Sequence, residues 1–187
     1  ILTLKQMLRN YLDFQVDVIQ RRTRFDLRKA LERAHILQGF VLAADYIDEV
    51  IAIIRASATV QEAKERMMER FKDVDMSALL DRAQYDFTGL HVEQQTGLSA
   101  EQAEAIVQMR LGQLTGLERQ KITDELFGLL TKISDYENIL ADVNRVYGII
   151  MDDLNAIRKK FSDPRRTDIE NVSGEVDIED LIPEEDC

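Results

Sequence analysis

The chain has 187 residues, a formal net charge of −11, two prolines, eight glycines, no tryptophan and a single cysteine. That length allows one domain or one elongated module; the lone Cys187 rules out an intrachain disulfide, and no apolar run is long enough to cross a bilayer as a helix. The charge is uneven, with ten acids against two arginines from Asp163 onward and eight Lys and Arg against four acids in the first 34 residues, so the acidic total argues only weakly against a nucleic-acid partner.

The chain opens on Ile1 rather than Met, inside an already periodic stretch, as expected of an excised fragment. Leu4, Met7, Tyr11, Phe14 and Val18 recur at alternating steps of three and four; Arg21 takes the next position and Phe25 follows. Such a heptad seam calls for a partner helix. Between Leu4 and about Arg55 there is no proline and one glycine, Gly39, which predicts two nearly continuous helices, ending on the amphipathic set Ile47, Val50, Ile51 and Ile54. Thr59 with Glu62 forms a capping-box pattern and opens a helix to about Phe71. A short helix from about Ser77 to Arg82 and a loop over Tyr85 to Gly97 follow. Ser99 with Gln102 is a second capping box, opening a helix that carries Ala103, Ile106, Val107, Met109, Leu111 and Leu114. Thr115 with Glu118 is a third, with Gly116 on the first turn.

The strongest pattern comes next. Ile122, Leu126, Leu129, Ile133, Tyr136, Leu140, Val143, Tyr147, Ile150, Leu154, Ile157 and Phe161 keep heptad spacing throughout. This predicts one helix of roughly 60 Å with an apolar seam along its length. Gly128 and Gly148 lie inside it, where a close neighbour or a local bend would offset their low helix propensity. Pro164 ends the helix. The tail beyond alternates loosely at Val176, Ile178 and Leu181, so it could add one extended strand to another partner, and alone it is expected to be partly disordered.

Two seams at opposite ends of one chain predict an antiparallel pair with both termini at its foot; the alternative is that each helix pairs with another molecule. The expected fold is all-α: a long antiparallel coiled-coil stalk with a small helical globular tip and an acidic C-terminal tail. The boundaries are 1–34 for the ascending helix, 35–116 for the tip, 117–162 for the descending helix and 163–187 for the tail or linker.

Chemistry is sparse. His35 lies among apolar helix neighbours and reads as structural, and His91 has no Cys or His at ligand spacing. No glycine-rich phosphate loop is present, so no nucleotide site is expected. Tyr11, Tyr136 and Tyr147 fall on seams, and Tyr46 and Tyr85 have no basic cluster beside them, so no nucleophile is assigned. The tripeptide Arg-Arg-Thr occurs twice, at 21–23 and 165–167. Paired arginines clamp phosphates or bind carboxylates; internal pairing, for example with Asp142 or the acidic tail, is the plainer reading.

Taken in order, these residues match a family. Arg21-Arg22-Thr23 with Phe25, Leu27, Lys29 and Ala30, then Arg33-Ala34-His35-Ile36-Leu37 and Ile47-Asp48-Glu49-Val50-Ile51 with Ile54-Arg55, resemble the A subunit of bacterial DNA gyrase. So do Leu98-Ser99, Gln102-Ala103, Ala105-Ile106, Met109-Arg110-Leu111, Leu114-Thr115-Gly116-Leu117-Glu118 and Arg165-Arg166-Thr167. The related A-type subunit of topoisomerase IV shares much of the pattern. The chain departs from shorter members between Lys72 and Gly97, where some gyrases carry an insertion.

The resemblance implies a place in an ATP-dependent type II topoisomerase, a bacterial cytoplasmic isomerase that passes one DNA duplex through another and introduces negative supercoils. The chain matches the coiled coil and the small dimerisation tip that form the exit gate, after the domain that holds the catalytic tyrosine. On that reading it has no catalytic, cofactor or metal residues of its own. ATP and Mg serve the holoenzyme, whose parts are a homodimer through the tip, the gyrase B subunit and double-stranded DNA, with no membrane. The expected interface candidates at the tip are Ile36, Leu37, Phe40, Met109, Leu111 and Leu114; Arg21, Arg22, Arg165 and Arg166 are candidates for DNA-phosphate or ion-pair contacts. The competing reading is a non-enzymatic coiled-coil adaptor that associates along its stalk.

Overall fold

The computed structural model describes residues 2–76, 79, 90, 95–109 and 116–169. Among them lie six helices: α1 (Leu4–Asp45), α2 (Ile47–Ala56), α3 (Val60–Arg70), α4 (Ala100–Gln108), α5 (Gly116–Ala141) and α6 (Val143–Phe161). The only β pairing among the described residues is an isolated antiparallel bridge between Asp75 and Thr96. The chain is thus all-α, as its periodicity predicts. It divides into two compact units, Ile1–Ile150 and Met151–Cys187.

In the first unit, α1 begins at a reciprocal cap that satisfies otherwise orphaned donors. The Gln6 N–H donates to Thr3 Oγ1, and the Thr3 N–H donates to Gln6 Oε1 at 2.8 Å. With no proline to stop it, α1 continues for 42 residues, straight through Gly39. At Tyr46 the backbone leaves helical geometry while its N–H still bonds the Leu42 carbonyl, and α2 starts at the next residue. Thr59 caps α3 through its hydroxyl, as predicted. The other half of the box differs: the Glu62 carboxylate takes the N–H of Ala58 at 2.8 Å.

α1 runs antiparallel to α5. Arg33 pairs with Glu125 and Asp45 with Arg119, while Ile19 clusters with Ile139, Val146 and Ile150. The buried line on α1 is Ile19, Thr23, Ala30, Ala34, Leu37 and Val41, with Leu12, Val16 and Leu27 partly covered. That line is a heptad seam about one residue out of phase with the predicted one. Leu4, Met7, Tyr11 and Phe14 instead stand exposed, at 72%, 54%, 47% and 59%, as does Phe25. Continuity explains the choice. The buried seam runs on through Ala30, Ala34 and Leu37 into the main core, whereas the predicted one runs into Arg21. Thr23 can occupy a seam position because its hydroxyl donates to the Ile19 carbonyl of its own helix at 2.9 Å.

The predicted single descending helix is broken at Asp142. Its N–H closes α5 on the Asn138 carbonyl, and its Oδ1 then accepts the Asn144 N–H at 2.9 Å. Asp142 is therefore the N-cap of α6, a role suited to a short side-chain acceptor. The buried phase departs from the predicted one on both sides of the break. Ile122, Leu126, Ile133 and Ile150 are buried as the heptad predicts, but Leu130, Ile139 and Val146 replace Leu129, Leu140 and Tyr147 as buried residues. Val143 and Tyr147 are more than 40% exposed. In the second unit, Leu154, Ile157 and Phe161 also stand exposed among the described residues.

The ends of the 77–94 stretch meet at a neck. The Met76 N–H donates to the Gln95 carbonyl and the Gly97 N–H to that of Val74. Gly97 has φ +82°, and a Cβ there would lie 2.9 Å from the Lys72 carbonyl oxygen, so only glycine fits without strain. Leu79 from this stretch is buried in the core with Phe71, Met67 and Leu98. The predicted short helix over 77–82, His91, the cap at Thr115 and the tail residues Val176, Ile178 and Leu181 lie outside the described residues.

Among the described residues nothing lies within 4 Å of a Cβ added at Gly128 or Gly148, so close approach by those residues explains neither. Gly128→Ala and Gly148→Ala should each raise stability by about 0.5–1 kcal/mol through helix propensity, read as a shift in the denaturant midpoint. A loss at either site would reveal a neighbour other than the described residues.

Candidate functional site

The head of the first unit is built where α4 meets α1. Ser99 caps α4 by accepting the Gln102 N–H, and Gln102 Oε1 returns the bond to the Ser99 N–H at 2.9 Å. Gln102 does more than cap. It is fully buried, its Nε2 donates to the His35 carbonyl of α1 at 2.7 Å, and its Oε1 also accepts from Gln95 at 3.0 Å. Four polar groups thus satisfy one another at the α1–α4 junction, as burial requires. Gly39 makes room for them, because a Cβ on it would lie 2.9 Å from both Cβ and Cγ of Gln102.

His35 belongs to the same junction, with Nε2 2.8 Å from Ser99 Oγ. Glu101, on the first turn of α4, has its carboxyl held below the ordinary carboxylate value, first by its own backbone N–H and then by the Ser99 hydroxyl. The His35–Ser99 contact joins α1 to the first turn of α4 at a second point, and a carboxylate on that turn suits the helix dipole.

Beside this junction lies a cleft of about 390 Å³ lined by Arg33, Leu37, Phe40, Met109, Lys121, Ile122 and Glu125. Its floor is apolar and its rim charged. Arg33 grips Glu125 with two bonds, Nε to Oε1 at 2.8 Å and an η-nitrogen to Oε2 at 3.1 Å. At roughly half exposure such a pair contributes little stability, but it holds the register of α1 on α5. Among the described residues no cluster of His, Cys, Asp and Glu is placed to hold a metal ion.

The expected interface residues fall into three groups. Phe40 and Met109 are partly exposed and line the cleft, and Ile36 is partly exposed one turn from Phe40 on the same helix. Leu37 is 1% exposed and belongs to the chain's own core. Leu111 and Leu114 lie outside the described residues. The helix expected to run from Ser99 to Leu114 stops at Gln108, and Met109 is its extended C-cap. Of the paired arginines, Arg21 bonds Asp17 at 2.9 Å rather than Asp142, and Arg22 is exposed. Arg165 donates to the Thr167 carbonyl, and Arg166 lies 3.7 Å from Asp163. Sequence reasoning recognised the Ser99–Gln102 box but not that Gln102 also ties α4 to α1.

An antiparallel helix pair thus bears a polar-locked helical head, with an apolar cleft beside it. The chain belongs to the DNA gyrase/topoisomerase IV family of A subunits, whose family model matches residues 1–155. It is 46% identical over 185 residues to the DNA gyrase A subunit of Clostridium acetobutylicum, covering 99% of this chain and 19% of that protein. The Lawsonia intracellularis gyrase A protein is 42% identical over 187 residues, with 100% and 20% covered. That of Streptococcus pneumoniae is 45% identical over 189 residues, again with 100% and 20% covered. The chain spans about one-fifth of the length of these relatives. No helix among the described residues is long and apolar enough to cross a membrane.

The junction can be tested at two residues. Gly39→Ala forces α4 off α1 and should lower stability by about 1–3 kcal/mol despite its gain in helix propensity, measurable by denaturant unfolding. Because the Glu101 pKa is lowered on folding, its stabilisation is present above the ordinary carboxylate value and is lost as pH falls through the lowered one. The stability gap between wild type and Glu101→Gln should therefore be flat above about pH 5 and close on acidification.

Proposed function

We propose that this chain is the exit-gate and coiled-coil region of a gyrase A subunit. The parent enzyme is a type II topoisomerase that passes one duplex through another with ATP hydrolysed on its B subunit, and the isolated chain performs no DNA cleavage. Family membership over residues 1–155 supports the parent activity. The observation that carries the gate is the head itself: Ile36, Phe40 and Met109 are partly exposed beside an apolar cleft at the end of a long helix pair.

A gate must hold two halves together and also release them. A two-fold contact made by one patch on itself is isologous, so each apolar side chain there counts twice. A patch centred on Phe40 and Met109, with Arg33, Lys121 and Glu125 around it, has the apolar centre and polar rim of a specific but separable interface. Leu37 then supports the patch from beneath. The long helices provide the distance that a departing duplex needs. The same family description covers the A-type protein of topoisomerase IV, and the proposed gate serves either enzyme.

An adaptor that associates along α1 is the second reading, favoured by the exposed stripe Leu4, Met7, Tyr11 and Phe14. Sedimentation equilibrium separates the two. Wild type should be a dimer, and Met109→Asp a monomer of unchanged helix content. Persistence of the dimer in Met109→Asp and its loss in Phe14→Asp would place the contact on α1 and overturn the tip as the gate.

A further inference from the structure

The outward face of α1 carries a feature that the gate does not use. Residues 21–29 hold Arg21, Arg22, Arg24, Arg28 and Lys29 against one acid, Asp26. This is a dense positive segment in a chain whose total is −11. We propose that the row Arg21, Arg24 and Arg28 docks the phosphate backbone of double-stranded DNA.

Helical geometry puts the three arginines in a line. Steps of three and four residues keep them on one face, spaced by about 4.5 and 6 Å along the axis. That face is turned away from Ile19, Thr23 and Ala30, which are buried against the rest of the first unit. The side chains of Arg21 and Arg28 are 63% and 65% exposed. Phe25, 53% exposed, lies within the row, and the Arg28 guanidinium sits 5.5 Å from its ring centroid. The ring supports that arginine without neutralising it.

The carboxylates beside the row do not close it. Arg21 bonds Asp17, while Arg28 and Lys29 share Glu32, all within one helix turn and all more than half exposed. Among the described residues Arg24 bonds only an amide, Gln20. Arg22 makes no ion pair or hydrogen bond among the described residues. Exposed pairs of this kind are weak and exchange readily, so a polyanion can take them over. Lys29, helped by Arg28, holds the Glu32 carboxyl below its ordinary value, which reflects the positive field there.

The row is convex and has no pocket, so a single phosphate ion would meet one guanidinium at a time. Duplex DNA presents a charge every 1.7 Å or so along its axis and can meet all three. A membrane surface fits less well. A helix lying in a lipid interface needs apolar and cationic residues along the same stretch, whereas the exposed apolar residues Leu4, Met7, Tyr11 and Phe14 lie two to five turns before the row. This inference concerns the side of α1 and holds whether or not the tip is the dimer contact.

The test is fluorescence anisotropy of a labelled duplex of about 20 base pairs with the 187-residue chain, over roughly 50–200 mM salt. Wild type should bind with a log–log salt slope near −3. Arg21→Ala/Arg24→Ala/Arg28→Ala, all exposed changes to a good helix former, should keep its circular dichroism and weaken binding at low salt by about tenfold or more, with the slope flattened by about three. A photo-crosslinker in place of Phe25 should form a covalent DNA adduct, and the same probe in place of Glu65 on α3 should not. Equal binding by wild type and the triple variant, a crosslink from position 65 alone, or tighter binding to phosphatidylserine vesicles than to the duplex would each overturn the proposal.

Discussion

The first unit depends on which of two apolar stripes α1 turns toward α5. A helix pair can cover only one of them. On the stripe through Ile19, Thr23, Ala30, Ala34 and Leu37, the last three belong to the core that also holds Phe71, Met67 and Ile106, while Ile19 packs with Ile139, Val146 and Ile150, so burying that one stripe serves both apolar clusters. Burying the other would cover Leu4 to Phe14 but would bring Arg21 into the contact, where an unpaired charge is costly. Once the seam is chosen, Arg33 meets Glu125, Asp45 meets Arg119, and the His35 carbonyl and Gly39 face Gln102. The head is placed by the seam, and the cleft by the head.

Different parts of this arrangement were legible in the sequence to different degrees. Helix existence follows from periodicity and from the scarcity of proline, and the Ser99–Gln102 box marks the start of α4 because both partners lie within four residues. The phase of a seam is harder to read. On α1 two stripes lie about one residue apart, the more aromatic of them attracts attention, and the choice rests on contacts with residues nearly a hundred positions away. The Arg33–Glu125 pair has the same character. The break at Asp142 carries a local signal, an aspartate two residues before an asparagine, but it sits in an uninterrupted heptad pattern that argues for continuation. Family resemblance was more legible than geometry, because it rests on residue identities in order rather than on which way each side chain points.

The head shows how a small polar site can hold two helices together. Ser99 Oγ lies at hydrogen-bond distance from an imidazole nitrogen, which on distance alone resembles an activated hydroxyl. Its capacity is already committed: it accepts the Gln102 N–H, and the Ser99 hydroxyl helps to lower the Glu101 pKa. A hydroxyl that accepts the Gln102 N–H in this way holds the N-terminus of α4 in place. The chemistry that looks available is the chemistry that fixes Met109 and Phe40 beside the cleft.

Burial is distributed unequally along α1, and this bears on how a gate could work. From Ala30 to Ala43 the helix is locked into the main core, while before Ile19 none of the described residues is fully buried. Local opening free energy follows buried contacts, so the N-terminal part of α1 should deform long before the head does. Asp142 interrupts the opposing helix near that less-buried stretch, where Ile139, Val146 and Ile150 pack on Ile19. An element that bends at such a point moves a rigid head without repacking its core. In the proposed gate, compliance and adhesion would be separated along the chain: the lightly packed end would accommodate motion, and the heavily packed end would keep the proposed contact surface in shape.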